Sequence, residues 1–146
     1  MSIDIRPLYD KDSSTAFRAL REFEELSDRS HQLYEHIDEF IRMLSSDRYV
    51  IRVRGFRLIC RQAQWDEENR IDQSIDTILD FLDDEKPTAV RMGLTALHYM
   101  IDFKPGLHAA MADKIVSLDP YRYKDSMSPL IIKDVQNLLN AIAQAE

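Results

Sequence analysis

HIDEFIRMLSSDRYVIRVRGFRLICRQAQWD (residues 36–66) can be laid on SIDTILDFLDDEKPTAVRMGLTALHYMIDFK (residues 74–104) without a gap, at an offset of 38 residues. The overlay pairs Ile37 with Ile75, Asp38 with Asp76, Leu44 with Leu82, Gly55 with Gly93, Phe56 with Leu94 and Ile59 with Leu97. Each copy carries two apolar stripes at helical spacing, so each reads as a helical hairpin that must stack on a neighbour to bury its face. The stripes are Leu33, Ile37, Phe40, Ile41 and Leu44, then Tyr49, Val53, Phe56, Ile59, Cys60 and Ala63, in the first copy. In the second they are Ile71, Ile75, Ile78, Leu79 and Leu82, then Val90, Leu94, Leu97 and Ile101. Gly55 and Gly93 read as small residues where helices approach closely.

Capping chemistry recurs with the stripes. Ser46 and Asp84 occupy the same repeat position, and both can accept from the orphan amides of a second helix. Asp66 is expected to cap the helix that opens the second copy, with Glu67 and Glu68 at its positive end, and Pro105 and Gly106 are expected to stop the last helix of that copy. Working outward, Ser13 or Ser14 can cap an N-terminal helix carrying Phe17, Leu20, Phe23 and Leu26. A third hairpin follows Leu107, with Met111, Ile115 and Leu118 and then Ile131, Val135, Leu138, Leu139 and Ile142. Ser128 and Pro129 read as cap and first residue of its second helix. The predicted organisation is a single domain of seven helices: an arm over 1–12, a helix over 13–28, and hairpins over 31–66, 67–104 and 106–143.

The chain resembles the HEAT and HEAT-like repeat proteins of the armadillo-type α-helical solenoids. The resemblance covers residues 31–142 and rests on the repeat length together with LDDEKPTAVRMGLTAL (82–97), where an acidic turn, a Pro and the pair Val90–Arg91 open the second helix. The first hairpin departs from the pattern, with Arg52 opposite Val90 and Val53 opposite Arg91. The resemblance implies an all-α, α-α superhelix: a short right-handed solenoid of about three hairpins plus an N-terminal helix. It also implies an Asp-to-Arg turn contact at Arg91, and second helices that line a concave wall.

Composition agrees with a helical chain. The 146 residues are 45% hydrophobic and 31% charged, enough to bury a core beneath a solvated surface, and three Gly and five Pro are few for an all-β protein. A net charge of −7 disfavours broad nucleic-acid or anionic-membrane binding. No stretch approaches the roughly 20 apolar residues of a membrane span. One cysteine and an N-terminus without an apolar leader segment point to a reducing, cytoplasmic location.

Chemistry-bearing motifs are sparse. Cys60 falls within an apolar stripe, and no His is placed in sequence to activate it. His31, His36, His98 and His108 lack metal-ligand spacing, and no Gly-rich phosphate loop is present, so no metal, cofactor or catalytic residue is expected. What stands out is charge segregation. Arg48, Arg52, Arg54, Arg57 and Arg61 occupy one helix without an acid, whereas residues 66–85 hold nine acids against Arg70. Arg54, Arg57 and Arg61 form one ridge; Asp72, Asp76, Asp80 and Asp83 form another. Either ridge can be an ordinary solvated face, or the two can pair with each other.

The repeat offset extends the Arg ridge into rows. Arg54, Arg57 and Arg61 continue as Met92, Thr95 and Tyr99, and then as Lys133, Gln136 and Asn140, a wall without an acid. Guanidinium groups grip carboxylate and phosphate bidentately. The expected function is therefore a non-enzymatic scaffold or adaptor that binds an acidic or phosphorylated protein segment through Arg54, Arg57, Arg61, Thr95, Tyr99 and Lys133. Two alternatives carry other tests. Some HEAT-like proteins are DNA glycosylases acting on alkylated bases, and Trp65 with Asp66 beside the Arg helix would suit a damaged nucleotide. Exposed solenoid ends would suit a homodimer.

Overall fold

The computed structural model describes residues 2–146; Met1, the first residue of the predicted arm, lies outside them. The protein is all-helical, with no strand among the described residues. Its helices are α1 (Ser13–Arg29), α2 (Ile37–Met43), α3 (Tyr49–Arg61), α4 (Arg70–Gln73), α5 (Ile75–Leu79), α6 (Pro87–Ala96), α7 (His98–Ile101), α8 (His108–Val116) and α9 (Ser128–Ala145). Short 3-10 turns precede α1 and join several of these, among them Ala63–Trp65, Asp80–Asp83 and Pro120–Arg122.

Packing runs in series. α2 lies on α3, α3 on α6 and α6 on α9, while α8 covers α9 and α1 lies against α3. A single hydrophobic cluster threads through them, with Phe40, Phe56, Leu58, Ile78, Leu94, Met111 and Leu138 all fully buried. The rings of Phe56 and Phe81 stack at 4.5 Å between centroids where the two 38-residue copies meet. Burial of apolar area at about 25 cal/mol per Å² is the main force joining the hairpins, because each helix buries only a stripe.

The two glycines sit at equivalent crossings. A Cβ on Gly55 would lie 2.7 Å from the Met43 Cβ and 2.7 Å from the Phe40 carbonyl oxygen, and one on Gly93 would lie 2.8 Å from a ring carbon of Phe81. Met43 and Phe81 stand 38 residues apart, so the close approach is repeated in register. Ser46 and Asp84 behave alike but do not cap: each closes a turn just before its helix, Ser46 Oγ accepting from the Arg48 amide at 3.2 Å and Asp84 Oδ1 from the Lys86 amide at 2.9 Å, while Arg48 and Lys86 hold the capping positions without a side-chain cap bond.

Other boundaries differ from the sequence reading. Asp12, rather than Ser13 or Ser14, caps α1, accepting from the Ser14 amide at 3.0 Å. Asp66 does cap a helix, but the helix starts at Arg70. Residues 66–69 first make a turn closed by Asn69 in the left-handed region (φ 57°), and the carboxylate then accepts from the Arg70 and Ile71 amides. Glu67 and Glu68 therefore stand outside the helix. The remainder of that stretch is broken, because backbone bonds tighten to the i→i−3 type at Ser74, as they do where the Met100 amide of α7 reaches back to Leu97, the residue between α6 and α7. Ser128 does not cap α9. Met127 holds the capping position, and the buried Ser128 Oγ has no hydrogen-bond partner among the described residues. Pro105 opens a 3-10 turn, four residues beyond the end of α7.

Candidate functional site

A groove runs along α3, with α1 as one wall and α6 as the other. Its half nearer the C-terminus of α3 is an open cleft of about 430 Å³ lined by Glu24 of α1, Arg57 and Arg61 of α3, and Arg91, Thr95 and Tyr99 of α6 and α7, with Met127 at the far edge. The other half is apolar. Phe17, Val50, Val53 and Met92 line it, and Arg57, Thr88 and Met92 border both halves. Phe17 and Met92 are exposed by 54% and 40%, unusual for large apolar side chains that touch one depression.

The repeat offset predicted the α3–α6 part of this wall. Arg57 and Thr95 share the cleft, and Arg61 reaches its counterpart Tyr99 directly, with its guanidinium carbon 3.8 Å from the ring centroid and Nη2 donating to the Tyr99 hydroxyl at 2.7 Å. Two expected members are absent from the cleft: Arg54 borders only the apolar half, and Lys133 borders neither. Arg54 is buried and donates to the Leu8 carbonyl oxygen at 2.8 Å, so it pins the N-terminal arm instead of facing a partner; burial lowers its pKa, with Arg48 adding to the effect. Lys133 is exposed on α9 and is not among the residues lining the cleft.

The wall is not free of acids either. Glu24 is buried and takes both Nε and Nη2 of Arg57, at 2.9 and 2.8 Å, a bidentate pair. Arg61 donates to Asp28 at 2.9 Å, and Arg91 donates through Nε to Asp134 of α9 at 2.7 Å. The Arg ridge thus pairs not with the acidic ridge but with the N-terminal segment, Arg54 with the arm and Arg57 and Arg61 with α1. The signal available in sequence was weak: Glu24 and Asp28 are four residues apart on a helix whose neighbours Leu20, Phe23 and Ser27 are buried, which aims them at whatever α1 covers. The acidic ridge has its own cations: Asp72 pairs with Lys104, and Asp80 and Asp83 with Lys114. The turn contact expected at Arg91 is not made, since Arg91 pairs with Asp134 on α9; Arg52 reaches Asp84 at 2.7 Å.

Trp65 and Asp66 are engaged within the fold. The Trp65 indole donates to the Ser27 carbonyl at 2.7 Å. The Asp66 side chain is fully buried, where it accepts from two backbone amides, the Tyr34 hydroxyl and the Lys104 ammonium at 2.9 Å. No coordination site remains on that carboxylate for a nucleotide. Burial pulls the Lys104 pKa down, but its bonds to Asp72 and Asp66 outweigh this and leave it raised. Burial and the Asp66 bond push the Tyr34 phenol up.

Cys60 is buried, and burial pushes its thiol far above the ordinary range, so it holds its proton at neutral pH. Among the described residues, no group of three or more His, Cys, Asp and Glu is arranged to hold a metal ion, and no helix is long and apolar enough to cross a membrane. No protein-family model matches the chain, and neither a curated protein nor a solved structure is significantly similar to it.

Proposed function

We propose that the protein is a non-enzymatic adaptor, a short HEAT-like superhelix of helical hairpins whose α1–α3–α6 groove takes up an acidic or phosphorylated segment of a protein partner. The observation that carries this reading is the cleft itself: side chains 38 residues apart, Arg57 with Thr95 and Arg61 with Tyr99, converge on one open depression beside exposed apolar residues. The superhelical reading draws on contacts that span one repeat. Ser27 with Trp65, Arg61 with Tyr99 and Asp66 with Lys104 each join residues 38 apart. A stack of equivalent hairpins brings such residues side by side.

The test must avoid the buried cations. Reversing Arg54 or Arg57 would strip Leu8 or Glu24 of its partner and damage the fold, so lost binding would be uninformative. Thr95 is exposed, and Thr95→Glu sets a carboxylate among Arg57, Arg61 and Arg91. Proteins co-purifying with the intact chain from its own cell are compared with those retained by Thr95→Glu and by Asp76→Asn, a control on the exposed face of α5. Proteins kept by the control and lost with Thr95→Glu support the proposal. A set indifferent to Thr95→Glu overturns it.

A further inference from the structure

We infer that the groove reads a two-part segment: an apolar anchor side chain seated between Phe17, Val53 and Met92, followed or preceded by a carboxylate or phosphate that displaces Asp28 from Arg61. This rests on the adaptor reading above and specifies its partner. The observations are the unequal halves of the groove and the unequal acids that occupy its cations. Glu24 is 5% exposed in its side chain and is locked bidentately on Arg57, so it belongs to the wall. Asp28 is 49% exposed, and its bonds to Arg61 face solvent. Arg61 is itself only 13% exposed, but its partner Asp28 stands half in water and leaves more readily than Glu24 leaves Arg57, because water and salt compensate Asp28 for the loss. A carboxylate arriving on a bound chain replaces Asp28 at little cost, and Arg61 keeps its contact with Tyr99 throughout. Nη1 of Arg57 and Nη1 of Arg91 have no hydrogen-bond partner among the described residues, so two residues lining the same cleft each keep a further donor.

The spacing follows from α3. Val53 and Arg57 are four residues apart along the helix and Val53 and Arg61 eight, which at ~1.5 Å per residue is about 6 and 12 Å. An extended segment at ~3.3 Å per residue covers that range with its anchor and acid two to four residues apart; a helical one does so with four to eight. Charge selects the acid, and the exposed Phe17 and Met92 select the anchor.

The full-length chain is panned against a displayed library of random dodecapeptides, and the enriched peptides are synthesised for titration by fluorescence polarisation at low salt. Supporting peptides carry a large apolar residue and an Asp or Glu at the stated separation, and they weaken about fivefold when the acid becomes Gln. Met92→Glu weakens them about tenfold or more. Asp28→Asn binds them about two- to fivefold more tightly, the yield of removing an exposed internal competitor; a damaged fold cannot produce a gain. Enriched peptides that need Met92 but carry no acid, or that ignore Asp28→Asn, overturn the two-part inference and leave the adaptor reading standing. A library that yields no peptide sensitive to Met92→Glu or Thr95→Glu overturns both.

Discussion

Gly55→Ala and Gly93→Ala add the same methyl group at equivalent crossings, yet they should differ in effect because what each methyl meets differs. At Gly55 the new carbon would be 2.7 Å from the Met43 Cβ and from the Phe40 carbonyl oxygen, both fixed to the backbone of α2. Ordinary carbon contacts lie at ~3.5–4.0 Å, so α2 and α3 must part by about 1 Å over a crossing whose residues are fully packed. At Gly93 the nearest atoms are a Phe81 ring carbon at 2.8 Å and the Leu82 Cδ2 at 2.9 Å, and the ends of side chains can turn aside. Overpacking costs about 1–3 kcal/mol, and Ala in a helix interior returns up to about 1 kcal/mol relative to Gly. With the upper end of that cost at Gly55, where backbone-fixed atoms cannot yield, and the lower end at Gly93, the expected net loss is about 2 kcal/mol at Gly55 and within about 1 kcal/mol of zero at Gly93. For a domain of this size the Gly55 variant should melt about 4–8 °C lower. Urea unfolding followed by far-UV circular dichroism supplies both values. Equal midpoints, or a larger loss at Gly93, would refute the claim that helix backbones touch at the first crossing and only side chains at the second.

Two further outcomes concern stability. Lys104→Met leaves the Asp66 and Asp72 carboxylates without their cation, and breaking a buried pair in this way costs about 3 kcal/mol; the value falls at the low end because Asp66 keeps the Arg70 and Ile71 amides, and a loss under about 1 kcal/mol in the same urea assay would show that these suffice. The protein should also be labile to alkali. Cys60, Tyr34 and Tyr9 are all raised by burial, Tyr34 further by Asp66 and Tyr9 further by Glu39, the last to about 12. Above the unfolded values the unfolded chain releases these protons first, so stability declines as pH rises. The contribution of Lys104 has the same direction: its folded pKa is raised, so its stabilisation is complete below the unfolded value of 10.5 and is lost as pH climbs through the folded one. Thermal midpoints measured from pH 7 to 11 should be flat to about pH 9 and then fall; a midpoint that holds to pH 11 would contradict the burial of these groups.

Local order was legible in the chain because it depends on residues near one another. Helical stripes need only a 3.6-residue period, and the matching turns at Ser46 and Asp84 need only a donor two residues on, although neither residue proves to be the cap itself. The 38-residue register paired Gly55 with Gly93, which both stand at close crossings, and Arg57 with Thr95, which line one cleft. Boundaries set by a carboxylate's reach were less readable: Asp66 could be recognised as a cap, but the turn through Asn69 that delays the helix to Arg70 could not.

What decided the fate of the arginines was the path of α1, which no period records. Its docking against α3 places Glu24 and Asp28 on Arg57 and Arg61, and the arm preceding it places the Leu8 carbonyl on Arg54. These pairs join residues 33 to 46 positions apart. By itself the sequence determined that the helices form, which faces they bury and which copies correspond, because these follow from backbone hydrogen bonding and apolar periodicity. Only the tertiary structure decided which cations are structural and which remain exchangeable, because a charge is free or spent according to what folds back upon it, and burial sets how firmly it is held.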